Sequence, residues 1–244
     1  MRNIKFTITY DGTNYKGWQR QKDSPTVQAE VEAAVAKVFG KHHHVWGASR
    51  TDAGVHARAQ IAHIKIKTSI PVENIKKAIN TILPEDIGVV DAQDMPLDFH
   101  AQFQAKSKLY CYHILNSRDR DPFTCRYAWR VPYKLNVSLM KEEAAFLVGE
   151  HDFKSFQASD KRERSSVREI FSINIEKKKT ALVVEIQGSG FLYNMVRNVV
   201  GTLVEIGRGH FSSGSMCEVL YARDRTKAGP TAPAKGLFLM DVVY

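Results

Sequence analysis

Apolar and polar residues alternate along the first hundred positions in a pattern that predicts strands and helices in the order βαββαβ. Residues 4–10 alternate with a period of two, which predicts a strand that ends at the turn Asp11-Gly12. Valines at helical spacing follow, and Ser24 and Pro25 before them match an N-cap and a first helical residue. The other predicted elements are strands at 45–48 and 59–67, a helix at 75–82 stopped by Pro84, and a strand at 87–90.

The second half of the chain repeats this order. The predicted elements are a strand at 108–115, a helix at 140–148 that Gly149 ends, a hairpin with strands at 170–176 and 181–187, a long amphipathic helix at 192–206 and a closing strand at 237–243. Two βαββαβ units in succession predict an α+β protein made of two ferredoxin-like halves. We place these halves at residues 1–105 and 106–244. Two charged segments, 116–132 and 157–168, match no regular element and are expected to be surface loops.

The charge balance indicates a polyanionic partner. The 244 residues include 35 lysines and arginines against 26 aspartates and glutamates, so the formal net charge is +9. This excess favours nucleic acid, with a membrane surface as the second candidate and a merely basic protein as the alternative. No apolar run approaches the roughly 20 residues that span a bilayer, and the N-terminus lacks the apolar core of a signal peptide.

Cysteine and histidine usage argues against disulfides and metals. The three cysteines are odd in number and form no CxxC pair, which fits a reducing cytoplasm and speaks against a disulfide framework or a structural zinc site. The run His42-His43-His44 has the composition of a metal site, but it leads directly into the apolar pair Val45-Trp46. We therefore expect no metal there.

The stretch GASRTDAGVHARAQ, residues 47–60, places Asp52 among Arg50, His56 and Arg58. Neighbouring cations favour the ionised carboxylate, which suits a nucleophilic or electrostatic role better than acid catalysis. A glycosidase would need a second acid, which this stretch does not contain, and only His56 accompanies Asp52 as a metal ligand. On these grounds alone, a structural Asp–Arg ion pair explains the pattern as well as a catalytic carboxylate does.

Five motifs decide between these alternatives, because in their order along the chain they resemble those of the TruA-type pseudouridine synthases. RTDAGVHA (50–57) resembles the catalytic motif of that family, and YDGTNYKGWQRQ (10–21) resembles its opening turn. KLYCYHI (108–114) resembles the strand with the active-site tyrosine. GSGFLYNMVRNVVGTLVEIGRG (188–209) resembles the helix that carries a basic residue, and AGPTAPAKGLFL (228–239) resembles the closing segment. The motifs extend across nearly the whole chain, and none departs from the family at a catalytic position.

The resemblance implies a pseudouridine synthase fold with a central cleft between the two halves. It implies an enzyme that isomerises uridine to pseudouridine in the anticodon stem-loop of tRNA, at positions 38, 39 and 40. The implied roles are a nucleophile for Asp52, packing on the target base for Tyr110, and pairing with Asp52 for Arg197. Arg50, Arg58 and His56 are implied to hold the flipped-out nucleotide.

Further implications concern cofactors and partners. The reaction transfers no electrons and no group between molecules, so neither a cofactor nor a metal is expected, and the family resemblance implies a homodimer that binds tRNA in the cytoplasm. Whether Asp52 attacks the sugar C1′ or the pyrimidine C6 stays open, as does the choice of basic loops that contact RNA. Two other functions also stay open: an RNA-binding protein or folding chaperone on the same scaffold, and an Asp-dependent hydrolase that releases free uracil.

Overall fold

The computed structural model describes residues 1–159 and 165–244, and in it the chain divides into two units. Unit 1 comprises Met1–Lys106 together with Phe238–Tyr244, and unit 2 comprises Ser107–Leu237. The sequence pattern assigned every residue after 105 to the second half, whereas the final strand groups with the first unit. The reason is a parallel ladder in which Phe238 lies opposite His56. A hydrophobic period shows that a strand exists but does not show its partner.

Unit 1 contains the elements that the first half of the sequence predicts, in the predicted order. They are β1 (Arg2–Tyr10), α1 (Val27–Phe39), β2 (Trp46–Gly47), β3 (His56–Ile66), α2 (Val72–Asn80) and β4 (Ile87–Met95). Strand β1 lies between β3 and β4 and pairs antiparallel with both, and β2 pairs antiparallel with β3. The strand order of this antiparallel part is therefore β4-β1-β3-β2.

Alternation along β1 produces the buried face on which unit 1 is built. Ile4, Phe6 and Ile8 are fully buried, and Ile64 of β3 lies opposite Ile4 on the same face. The apolar stripes of the two helices are buried as well, at Val27, Val31, Val35, Ile75 and Ile79. Burial of one such side chain contributes roughly 1.5–3 kcal/mol, so this shared core outweighs the weak intrinsic helix preference of valine and isoleucine.

Helix α1 begins two residues later than the sequence predicts. Its N-cap is Thr26 and its first helical residue is Val27, so the prediction of Ser24 and Pro25 in these roles was wrong. The amide of Val27 donates to the carbonyl oxygen of Gly17 at 3.2 Å, and the carbonyl oxygen of Pro25 accepts a bond from the same turn. A turn ten residues earlier therefore accepts a bond from the first amide of the helix, a task that the side chain of a local N-cap residue usually performs.

Unit 2 contains the remaining elements. They are β5 (Ser107–Leu115), β6 (Trp129–Arg130), α3 (Val137–Ala145), β7 (Gly149–Asp152), β8 (Val167–Lys178), β9 (Ala181–Gly188), α4 (Met195–Gly207) and α5 (Ser215–Ala222), followed by the final strand β10 (Leu237–Val243), which leads back into unit 1. The sheet of unit 2 has the order β5-β9-β8-β7 with antiparallel neighbours, and β6 pairs parallel with β5.

The long elements of unit 2 were predicted and the short ones were not. The hairpin β8–β9 and the helix α4 lie where the periodicity placed them, whereas β6, β7 and α5 span only two, four and eight residues. Elements of that length contain too few periods to be recognised. The predicted loop 116–132 contains β6, and part of the predicted loop 157–168, residues 160–164, lies outside the described residues.

Two further observations concern the helices and the cysteines. Within residues 1–159 and 165–244, none of the helices has the length and apolarity needed to cross a membrane. Cys111, Cys125 and Cys217 are free thiols. Burial, together with the carboxylate of Glu185, raises the pKa of Cys111 to about 12, so this thiol is protonated and unreactive at neutral pH.

Candidate active site

Asp52 lies on a turn between β2 and β3 that backbone and side-chain hydrogen bonds hold in place. The carbonyl oxygen of Asp52 accepts a bond from the amide of Val55 at 3.1 Å, which closes the turn. The hydroxyl groups of Thr51 and Tyr10 are 2.7 Å apart and buried. Asp52 itself is half-buried. The carboxylate is therefore carried by a rigid segment, which is the arrangement that a reactive group requires.

The opening turn of the chain, residues 11–18, packs against the Asp52 turn and is hydrogen-bonded to it. The amide of Trp18 donates to the carbonyl oxygen of Thr51 at 3.1 Å, and the amide of Gly54 donates to Tyr15 at 3.2 Å. At Gly17, where φ is +93°, a methyl group would overlap the carbonyl oxygen of Thr51. The backbones approach so closely that only glycine fits.

A second glycine of the opening turn makes the same kind of contact. A methyl group at Gly12 would overlap the carbonyl oxygen of Val55, at the end of the Asp52 turn. Gly12 and Gly17 thus explain why YDGTNYKGW accompanies RTDAGVHA. Both motifs are recognisable in the sequence, but the supporting role of these two glycines was not predicted from it. The available signal was the presence of two glycines in a turn rich in aromatic residues.

The other residues that the sequence selected in unit 1 differ in exposure. Arg50 and Arg58 are exposed and therefore accessible to a ligand. His56 is only 1% exposed, and its ring stacks on Phe238 at 4.6 Å. Its Nδ1 atom lies 3.0 Å from a carboxylate oxygen of Asp11 and 3.1 Å from the amide of Gly12. In this structure His56 ties the opening turn to β3, and its predicted contact with the nucleotide stays a prediction.

Tyr110 lies in β5 of unit 2, opposite Ile186 of β9. Its side chain is 7% exposed, and its ring meets Phe191 edge-on at 5.2 Å. Lys108 lies two residues earlier, on the same side of the strand. Burial, with a contribution from the nearby Arg168, lowers the pKa of Lys108 to about 8, so this cation loses its proton in mildly alkaline solution. Lys108 was not predicted as a site residue, because a lysine in a strand carries no distinctive sequence signal.

Arg197 is the residue that interrupts the apolar pattern of α4. Every other residue of that helix is buried, whereas Arg197 is half-buried. Its Nε donates to the carbonyl oxygen of Ala232 at 2.8 Å, and its Nη1 donates to Asn194 at 2.9 Å. Asn194 precedes the helix in the left-handed region, with φ of +59°. Backbone and amide oxygens on two sides therefore set the direction of the guanidinium group.

The closing motif lies directly against the same helix. A methyl group at Gly201 would overlap the carbonyl oxygen of Pro230, and the amide of Gly229 donates to the hydroxyl of Thr202 at 2.9 Å. The amide of Ala232 donates to the carbonyl oxygen of Arg197 at 3.1 Å. Two motifs that are separate in the sequence thus pack together around Arg197. Whether Arg197 and Tyr110 act on the same nucleotide as Asp52 stays a prediction.

The histidine run lies against a buried carboxylate. Residues 1–159 and 165–244 contain no group of three or more His, Cys, Asp or Glu side chains arranged to hold a metal ion. His42 and His44 instead lie 3.3 and 3.1 Å from the carboxylate of Glu32, which is buried and also accepts a bond from Arg20 at 2.9 Å. Buried carboxylates need such partners, so the run has a structural explanation.

Over its whole length the chain is similar to proteins of one family. Residues 7–104 and 144–244 match the family model described as tRNA pseudouridine synthase. Two relatives named tRNA pseudouridine synthase A, from Thermoanaerobacter sp. (strain X514) and Clostridium acetobutylicum, are 46% and 42% identical over 244 residues. Each alignment covers 100% of this chain and 100% of the relative.

One solved structure, titled Crystal Structure of a Cbf5-Nop10-Gar1 Complex, has a TM-score of 0.34 and 10% sequence identity. The match covers 83% of this chain and 54% of that chain. A similarity at this level carries no information on function.

Proposed function

The chain belongs to the tRNA pseudouridine synthase family, and we propose that this enzyme, which isomerises uridine in tRNA, acts on positions 38, 39 and 40 of the anticodon stem-loop. The observation that carries the proposal is the rigid Asp52 turn, held by its own hydrogen bonds and by the opening turn. Together with the resemblance of RTDAGVHA to the family's catalytic motif, this turn supports Asp52 as the nucleophile.

The isomerisation can be written with protein side chains alone. The bond from N1 of the base to C1′ of the ribose breaks, the base turns, and a bond from C5 to C1′ forms. C5 loses its proton and N1 gains one, so product and substrate have the same composition. Asp52 forms a transient covalent bond, either to C1′ or to C6, and leaves again when the new carbon–carbon bond is complete. Redox and group transfer are not involved in these steps.

Two residues of unit 2 complete the proposed machinery. Tyr110 packs on the target base and takes part in the proton transfer from C5, roles that rest on the resemblance of KLYCYHI to the family's active-site strand. Arg197 pairs with the carboxylate of Asp52 and keeps it ionised, a role that rests on the resemblance of residues 188–209 to the family's helix with a basic residue. The exposed Arg50 and Arg58, with His56, hold the nucleotide and its phosphates.

The proposed target lies in a stem or at its edge, so the nucleotide must be taken out of the base stack. Flipping costs a few kcal/mol. The net charge of +9 supports RNA binding as the source of the compensating energy. The two charged loops, 116–132 and 157–168, are the proposed contributors, although residues 160–164 lie outside the described part of the chain.

RNA affinity is expected to fall steeply as salt increases. Each phosphate that the protein neutralises adds about −0.7 to −0.9 to the slope of log K against log salt concentration, because condensed counterions are released. Several contacts therefore give a slope steeper than about −2. The dissociation constant for unmodified tRNA, measured over a salt series, checks this. A slope near zero would show that the charge excess is not used for RNA.

One assay separates the proposed function from its alternatives. Unmodified tRNA is incubated with the protein, pseudouridine is mapped by chemical labelling, and free uracil is measured in the same sample. Pseudouridine at positions 38–40 without free uracil supports the proposal. Free uracil would indicate an Asp-dependent hydrolase, and binding without either product would indicate an RNA-binding protein or chaperone.

We also propose the finer features of architecture and assembly. The βαββαβ order and the strand order β4-β1-β3-β2 of unit 1 support a ferredoxin-like plan, and the order β5-β9-β8 of unit 2 is compatible with a second copy of that plan. Family resemblance supports a homodimer, which light scattering tests. The three free thiols and a tRNA substrate support a cytoplasmic location.

A further inference from the structure

Four aromatic side chains of unit 1 form a continuous series, called here the ring stack: Trp46, His63, His100 and Phe103. Trp46 stacks on His63 at 5.0 Å with planes inclined by 16°. His63 meets His100 edge-on at 4.8 Å, and His100 stacks on Phe103 at 4.2 Å with an inclination of 24°. The series begins inside the sheet, since Trp46 and His63 are cross-strand partners, and it ends at Phe103 on the surface.

Backbone amides hold both imidazoles of the ring stack. The Nδ1 atom of His63 accepts a bond from the amide of Ala101 at 3.2 Å, and Nδ1 of His100 accepts one from the amide of Gln102 at 3.2 Å. The amide of Gln104 donates to the carbonyl oxygen of His100 at 3.2 Å, which closes the turn that carries Phe103. The outer ring is therefore presented by a rigid segment.

Phe103 is 77% exposed although one face of its ring covers His100. The opposite face is thus open to solvent. A large apolar side chain held rigidly in water contributes little to folding, because it gains almost no burial. A rigid aromatic ring with one free face is suited to stack against another flat group.

The surroundings of the ring stack are cationic, and its imidazoles are neutral. Lys5 lies directly opposite His63 on β1, and the exposed Lys65 follows on the same face of β3. Burial, together with His100 and Lys65, lowers the pKa of His63 to about 4. Burial and Lys65 also lower the pKa of His100. At neutral pH the rings are therefore uncharged stacking partners beside lysines that attract an anion.

We propose that the ring stack is a platform for an unpaired base of the RNA substrate, a base other than the target uridine. Phe103 supplies the stacking face, and Lys65 attracts the neighbouring phosphate. Flat uncharged rings next to lysines match a nucleotide, in which a flat base is joined to a charged phosphate. This inference rests on the proposed function, because it takes RNA as the ligand.

The position of the platform suits the same RNA molecule that delivers a nucleotide to Asp52. Trp46 and Asp52 are six residues apart in the chain, so their Cα atoms are at most about 22 Å apart. That is less than one turn of a nucleic acid duplex, about 34 Å, so the ring stack begins within reach of an RNA that is bound at Asp52. A second copy of the protein is a poorer match for this surface, since lysine is depleted where protein interfaces are buried.

The test compares three substitutions at Phe103. Phe103→Ala and Phe103→Leu remove the ring, and Phe103→Tyr keeps it. We expect the first two to weaken binding of unmodified tRNA about tenfold, the range found when one base-stacking aromatic is removed. Phe103→Tyr is expected to bind like the wild type. The single-turnover rate at saturating tRNA should be unchanged in all three, because the platform positions RNA without touching the target base.

A modified RNA tests the contact itself. Wild type and Phe103→Ala are compared on an anticodon stem-loop and on the same stem-loop with abasic loop nucleotides other than the target. The abasic RNA should bind the wild type more weakly, and Phe103→Ala should lose nothing further on it. Equal losses by Phe103→Ala on both RNAs would overturn the proposal, because the ring would then not contact a loop base.

Controls separate this proposal from folding defects and from the proposed function. Tyr221→Ala removes an aromatic ring that is 71% exposed on α5, and its RNA affinity should match the wild type. Three results would each overturn the platform. They are unchanged tRNA binding by Phe103→Ala, wild-type affinity of Phe103→Leu for tRNA, and a Phe103 variant whose mass by light scattering changes while its RNA affinity does not. Failure of the wild type to form pseudouridine would instead refute the proposed function.

Discussion

Replacing Asp52 with asparagine is expected to abolish pseudouridine formation while the fold and tRNA binding persist. The substitution is nearly isosteric, and the backbone bonds that shape the turn do not depend on the carboxylate, since they use the carbonyl oxygen of Asp52 and the amide of Val55. It removes the proposed nucleophile, and loss of a nucleophile has cost on the order of 10⁶ in rate in other enzymes. The measurement is the single-turnover rate of pseudouridine formation at saturating tRNA.

The matched control for this prediction is Asp23→Asn. Asp23 is an exposed aspartate on a turn of the same unit, with φ of +56°, a conformation that asparagine tolerates. Its substitution changes the net charge by the same amount and should leave the rate unaltered. If Asp52→Asn formed pseudouridine at a tenth of the wild-type rate or faster, the assignment of the nucleophile would be wrong.

Gly17→Ala is expected to lower the rate of pseudouridine formation at least about a hundredfold, although Gly17 carries no reactive group. The added methyl group would overlap the carbonyl oxygen of Thr51, one residue before Asp52. The same oxygen accepts a bond from the amide of Trp18, so relieving the overlap pushes the opening turn and the Asp52 turn apart and weakens the bond that holds them together. A displacement of about 1 Å at a reacting group can reduce a rate by about 10².

Gly40→Ala isolates this contact from the cost of backbone strain. Gly40 also has a left-handed conformation, with φ of +72°, but a methyl group there would meet nothing within 4 Å. Alanine in that conformation costs roughly 1–2 kcal/mol of stability at either position. Thermal unfolding and activity of both variants are measured together. Similar activity losses in the two variants would mean that strain alone, and not the contact with the Asp52 turn, is responsible.

The structural setting of Asp52 explains why a short motif is accompanied by a second one forty residues earlier. Gly12 and Gly17 allow two backbone segments to lie in direct contact, and His56 fastens the opening turn to β3 from the other side. The carboxylate is thereby held by backbone atoms, which have little freedom to rearrange. In unit 2, Arg197 is held in a similar manner by the closing segment through Ala232.

The sequence by itself determined the elements with a long hydrophobic period and the motifs that identify the family. The alternation of Ile4, Phe6 and Ile8 and the four-residue spacing of Val27, Val31 and Val35 are local properties, because burial of one face imposes the period directly on neighbouring residues. The same local character made RTDAGVHA recognisable around Asp52. Arg197 interrupts the apolar stripe of α4 in the sequence, and in the structure it is the residue of that helix that is half-buried while the others are buried.

The tertiary structure alone decided the features that depend on residues distant in the chain. The start of α1 at Val27 is set by the carbonyl oxygen of Gly17, and the final strand joins unit 1 because Phe238 pairs beside His56. The burial of His56 and the open face of Phe103 likewise depend on which segments fold against them. A hydrophobic period records only that a face is buried; the identity of the atoms that bury it is fixed by packing between segments that share no sequence pattern.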